Sequence, residues 1–145
     1  MRLTLVFVVS SAVILLAQAP AGPTRSVWDG VYSPEQAGRG QTLYMTHCAP
    51  CHMPELEGRL ADPTGTPTGV PGLQDPGFQS KWNGLTLGDL WERIRISMPQ
   101  EKPGSLSRQI NADILAYILQ RNALPAGVEE LPPEKERLDA IRIEH

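Results

Sequence analysis

Two thiols and an imidazole fall within five residues, Cys48-Ala49-Pro50-Cys51-His52, and these are the two cysteines of the chain. Thiols at i and i+3 lie about one helical turn apart and face one side. Each can add to one of the two vinyl groups on an edge of haem, leaving two thioether bonds. The next residue, His52, is then carried over the ring centre, where its imidazole can bind iron. C-x-x-C-H is the attachment signal for haem c. The second ring nitrogen of His52 needs an acceptor to fix its orientation.

Other chemistries compete for the same residues. A dithiol redox pair has the C-x-x-C spacing but usually sits where a strand passes into a helix. A zinc site needs about four ligands. Beyond Cys48, Cys51 and His52, only His47 and His145 offer an imidazole. A disulfide across i, i+3 is strained and leaves His52 unexplained.

If haem is bound, electron-transfer sites usually take a second axial ligand from methionine or histidine. Met45, Met53 and His47 are tied to the His52 side by their closeness in sequence. Met98, in Ser97-Met98-Pro99, is far enough along the chain to reach the opposite face. Pro99 stiffens the backbone beside it. His145 is the outside alternative, and a lone methionine filling the core is the plain one.

Three helices must position these groups. Ser33-Pro34-Glu35-Gln36 starts the first, with Ser33 capping, Pro34 at the first helical position and Gln36 closing a capping box. It runs to about His47. The second starts at Thr86-Leu87-Gly88-Asp89 and runs to about Ser97, with Leu87, Leu90, Trp91 and Ile94 on its apolar stripe. The third is expected from Asn111, as its cap, to Asn122, with Ile114, Leu115, Ile118 and Leu119 facing inward. Between the first two, residues 53–80 hold ten Gly or Pro in 28. That density forbids a helix interior and reads as a long loop, which needs a job such as wrapping a ligand. Leu56, Leu73, Phe78 and Trp82 are its candidates for packing on haem.

Composition agrees with a bound apolar plate. The chain has 145 residues, 41% hydrophobic and 20% charged, with only 3 Trp, 3 Tyr and 2 Phe. Such a chain folds but has a thin core of its own. A buried macrocycle, at ~25 cal/mol per Å² of apolar surface, can replace missing aromatics. The net charge of −3 argues against a polybasic nucleic-acid binder.

The ends differ from the middle. Residues 1–21 run from Arg2 through an apolar stretch to Ala17-Gln18-Ala19-Pro20-Ala21, the order of a secretory signal. An uncleaved anchor is the competing reading, since the stretch is slightly short of the ~17–25 residues that span a bilayer. Residues 22–32 form an arm, 33–124 the main domain and 125–145 a tail with six acids against three bases. Val27, Trp28, Val31 and Tyr32 of the arm are expected to pack on their own domain. The tail, with Leu131, Leu138, Ile141 and Ile143 among its acids, either wraps the domain, docks a partner or is solvated.

The chain resembles the class I monohaem c-type cytochromes. The residues carrying the resemblance are Gly40 and Tyr44, Cys48 to His52, Met98-Pro99, and Leu115 with Tyr117. More narrowly it is similar to periplasmic cytochromes that accompany quinoprotein (pyrroloquinoline quinone, PQQ) dehydrogenases. The matching stretches are Ser26 to Tyr32, Gln36-Ala37, Arg39-Gly40, Trp82, Ser97-Met98-Pro99, Pro103 to Ser107, Ala112-Asp113-Ile114 and Ala116-Tyr117. The resemblance implies an all-α, cytochrome c-like fold around one covalent haem c. Its first and last helices would cross where Gly40 lets their backbones approach. It also implies that a proline carbonyl, with Pro71 the nearest candidate, accepts from His52. Many members carry glycine after the iron-binding histidine; Met53 departs from that and puts the local turn in question.

The expected function is one-electron transfer in the periplasm, with His52 and Met98 both on iron and no site left for substrate. The expected partners are a redox donor, such as a PQQ-dependent dehydrogenase, and an acceptor in the respiratory chain. The rivals are a haem enzyme or gas sensor with an open sixth site, and a haem subunit of a larger dehydrogenase.

Overall fold

The computed structural model describes residues 23–74 and 76–144. Residues 1–21, read as a secretory signal, and His145, the alternative axial ligand, lie outside the described residues.

Three long helices carry the fold, as the patterning predicts. These are α1 (Pro34–His47), α4 (Leu87–Ser97) and α5 (Arg108–Arg121). Shorter helices are α2 (Ala49–His52), α3 (Pro76–Trp82) and α6 (Lys135–Leu138). Four short strands complete the described chain: β1 (Arg25–Ser26), β2 (Arg59–Ala61), β3 (Pro67–Val70) and β4 (Ile141–Arg142).

Helices α1 and α5 cross at Gly40. A Cβ built there would sit 1.9 Å from the Asp113 carbonyl oxygen, so glycine lets the two backbones touch. Tyr44 and Tyr117 pack beside the crossing with ring centroids 5.3 Å apart. Asp113 is buried and accepts from Gln36, Arg39 and Gln109, which satisfies its carboxylate inside the contact.

The helix starts divide into two kinds. Thr86 and Asp89 form the expected reciprocal capping box on α4. Ser33 caps α1 by accepting from the Gln36 backbone N–H, but the Gln36 side chain does not complete a box. It is buried, donates to the Leu131 carbonyl and accepts from the Leu131 N–H. Helix α5 starts a turn earlier than expected, capped by Ser107, and Asn111 is buried within it. Ser107 wins because it is free to take extended backbone, whereas Asn111 already lies against the core.

The Gly/Pro-rich stretch is not the long loop expected: helix α3 starts within it at Pro76, where a proline opening a helix gives up no hydrogen bond. β2 and β3 pair as an antiparallel hairpin, and Asp62 ties its tip by accepting from the Thr64 and Thr66 backbone N–H groups. Strand alternation is lacking because both faces of this small hairpin are largely exposed.

Arm and tail close on each other and on α4. β1 and β4 pair in parallel. Val27, Val31 and Tyr32 of the arm and Leu131, Leu138, Ile141 and Ile143 of the tail are all buried. The tail therefore wraps the domain. None of the helices among the described residues is long and apolar enough to cross a membrane.

Candidate haem-binding site

A cleft of about 710 Å³ opens between the end of α1 with α2, the segment after β3, α3, the end of α4 with the loop after it, and α5. Cys48, Cys51, His52 and Met98 all line it. Sequence elements far apart along the chain are thus brought to one cavity.

Helix α1 ends at His47, and Cys48 leaves helical geometry with φ −120° and ψ −41°. Pro50 then sits in the first turn of α2, where a missing N–H costs nothing. The Cys48 carbonyl accepts from the backbone N–H groups of both Cys51 and His52, at 3.1 and 2.8 Å. This single turn is what aligns the two thiols. Cys51 is exposed and Cys48 partly buried. Burial pushes the Cys48 thiol up to about 12, with repulsion from Cys51 adding to it.

His52 is buried, and its Nδ1 lies 2.9 Å from the Pro71 carbonyl oxygen. A carbonyl only accepts, so Nδ1 carries the proton and donates. The Nε2 lone pair is then left for a metal. Pro71 is held where it is needed: the Gly58 N–H donates to the His52 carbonyl, the Leu73 N–H to the Leu56 carbonyl, and Asn122 Nδ2 to the Leu73 carbonyl. The turn after His52 is strained. Met53 has φ 66° and ψ 154°, a region that side chains avoid. Tyr44 donates to the Met53 carbonyl at 2.8 Å and holds that geometry, and burial raises the Tyr44 phenol pKa.

Met98 arrives on a different support. It is the C-cap of α4, extended at φ −124° and ψ 148°, and its N–H donates to the Ile94 carbonyl. Pro99 favours that extended backbone in the residue before it. Met98 is only partly buried, packed at the edge of the core.

Most of the lining is apolar. Leu73, Phe78 and Trp82 face the cleft as expected, whereas Leu56 is fully buried in the core and is not among the lining residues. Ile114 and Ile118 of α5 also line it, and their i, i+4 spacing on an inward face was the signal for them. Leu60 and Ile96 line it too and are well exposed, beside Lys81 and Arg93. These lip residues carry no periodic signal.

The residues fit haem c. Two aligned thiols, an imidazole with a free Nε2 and a thioether share one apolar-walled cleft of ligand-binding size. Among the described residues no group of three or more His, Cys, Asp and Glu side chains is placed to hold a metal alone, so a zinc centre fits poorly.

The cytochrome c family model matches residues 37–122. The chain belongs to the cytochrome c family. The fold is accordingly the mainly helical cytochrome c fold, and the family implies haem c and haem-based electron transfer. Comparison with curated proteins finds no match. Among solved structures, the chain is similar to the sulfane dehydrogenase SoxCD from Paracoccus pantotrophus, at 20% identity over 79% of this chain, with a TM-score of 0.44. This cytochrome spans 61% of the length of that chain. The arm before residue 33 and the tail after residue 124 fall outside the family match.

Proposed function

We propose that this cytochrome is a periplasmic one-electron carrier. Cys48 and Cys51 would hold one haem c through thioethers, and His52 and Met98 would ligate its iron. The observation that carries the reading is the shared cleft, with the His52 ring oriented by the Pro71 carbonyl.

Haem c, when bound, supplies an iron that exchanges one electron between Fe(III) and Fe(II). The chain's own groups do the rest. The Pro71 carbonyl fixes the tautomer and plane of His52. The Met98 thioether favours the reduced iron. The apolar walls formed by Leu73, Phe78, Trp82, Ile114 and Ile118 keep water out and disfavour the extra positive charge of the oxidised state. His52 and Met98 would both hold the iron, so that little protein rearrangement would accompany electron exchange.

Residues 1–21 act as the export signal in this reading. The donor is a dehydrogenase of the quinoprotein (PQQ) class, and the acceptor belongs to the respiratory chain. Residues 26–32, which resemble those of cytochromes paired with such enzymes, support that choice.

Replacing Met98 with Ala tests the ligand set on haem-loaded protein. The expected result is a haem that stays covalently bound, loses the sulfur-to-iron absorption band, takes carbon monoxide rapidly when reduced and has a lower reduction potential. An unchanged band and potential would remove Met98 from the iron. Ready carbon monoxide binding by the parent protein would favour an open-site enzyme or sensor.

A further inference from the structure

The two walls of the cleft are held by different parts of the chain. α1 rests on α5 at Gly40 and leads through Cys48 into α2, which packs on α1 and carries Cys51 and His52. α4, which ends in Met98, packs on α5 and also on the tail. The tail lies outside the family match.

The tail grips α4 at the end away from Met98. The Gly84 N–H donates to the Ile143 carbonyl, and the Ile143 N–H donates to the Leu85 carbonyl, both at 2.8 Å. Arg142 Nη1 donates to the Gly84 carbonyl at 2.8 Å. Asp139 accepts from the Thr86 hydroxyl at 3.2 Å and from Lys135 Nζ at 2.7 Å. Asp139 also lies so close to α4 that a Cβ at Gly88 would sit 2.0 Å from its Oδ1. A methyl there would push the Asp139 carboxylate off its place and press on the Asp139 backbone N–H, 3.0 Å away. The arm anchors the tail in turn, through β1–β4 pairing and through Gly127 N–H donating to the Tyr32 carbonyl.

We propose that this belt of arm and tail positions the sixth ligand of the iron. It fixes the first turn of α4, and the helix, a rigid rod of ~1.5 Å rise per residue, carries that constraint to its C-cap, Met98. Gly88 and Asp139 are the positioning residues. The inference rests on the proposed role of Met98. It adds that loosening the belt releases Met98 while the attachment through Cys48, Cys51 and His52 stays intact.

The test uses the full-length, haem-loaded protein with Gly88→Ala and Asp139→Asn, against Leu119→Ala on α5 as a control for general destabilisation. Four quantities are read: the sulfur-to-iron band and the far-UV helical signal through a denaturant titration, the carbon monoxide binding rate of the reduced protein, and amide hydrogen exchange along the chain. At equal loss of helical stability, the belt variants should lose the band at lower denaturant than the control. They should also bind carbon monoxide at least tenfold faster and exchange faster over 87–98 but not over 34–47. If Gly88→Ala does not fold, Asp139→Asn and Asp139→Ala decide. Band loss and carbon monoxide rate that follow helical stability on one line for all variants would overturn the belt alone. A parent protein without the band would remove the Met98 ligation and the belt together.

Discussion

The two walls of the haem cleft are built by opposite strategies. The His52 wall is local: two thiols, an imidazole and a strained turn lie within six residues, directly after a helix pressed against α5 at Gly40. The Met98 wall is assembled over distance: α4 takes its place from residues 84–85 bonded to 142–143 and from Asp139, which bonds Thr86 and packs on Gly88. Local construction suits groups bonded covalently to the cofactor, because a thioether tolerates no drift. In the proposed ligation the Met98–iron bond is weak and tolerates adjustment, so its support can come from a part of the chain that lies outside the family core.

Removing the tail should have the largest effect. Deleting residues 126–145 uncovers the surfaces that bury Leu131, Leu138, Ile141 and Ile143. At ~1.5–3 kcal/mol for each such side chain the loss is about 6–12 kcal/mol, comparable with the whole stability of a domain. The truncated protein should show little cooperative unfolding by circular dichroism. A stable, haem-loaded truncation would break the comparison, because the Met98 wall would then stand without distant support.

Gly40→Ala should cost about 3 kcal/mol, since the added methyl meets the Asp113 carbonyl backbone rather than a movable side chain. Urea unfolding of the haem-loaded protein measures it. Because α5 supports both walls, the sulfur-to-iron band should fade together with the helical signal, unlike the separation expected for Gly88→Ala.

The smallest effect is a gain. Met53→Gly relieves a backbone geometry that costs ~1–3 kcal/mol for a side-chain residue. It gives back part of that through unfolded-state entropy and through the contact between Arg59 Nη2 and the Met53 sulfur at 3.2 Å. A net rise of about 1 kcal/mol is expected in denaturant unfolding, with the His52 side of the spectrum unchanged. A loss would mean that the Met53 side chain supports the His52 wall.

Some of this architecture was legible from residues alone. The Thr86–Asp89 capping box and the Ser33 cap involve partners three residues away, so short spacing was enough to see them. Gln36 departs from its spacing for the opposite reason. It has the right spacing for a box, but Leu131 offers its side chain a buried donor and acceptor across the fold. Asn111 was misread as a cap because burial against the core, which no local pattern records, had already claimed it. The tail carries apolar residues among acids, a pattern equally suited to solvent, a partner or its own domain; its burial and its bonds to the arm and to the start of α4 decide it.

The motif that fits haem attachment is legible in the residues alone. Cys48, Cys51 and His52 are set by spacing within a single turn, and local hydrogen bonding enforces that spacing. The sequence also marked where the long helices lie. Only the tertiary structure decided that Pro71 is the acceptor for His52, that Met98 shares their cleft, and that the tail grips α4. Each of those depends on close packing between distant segments, and packing is a property of the assembled fold rather than of any stretch of residues.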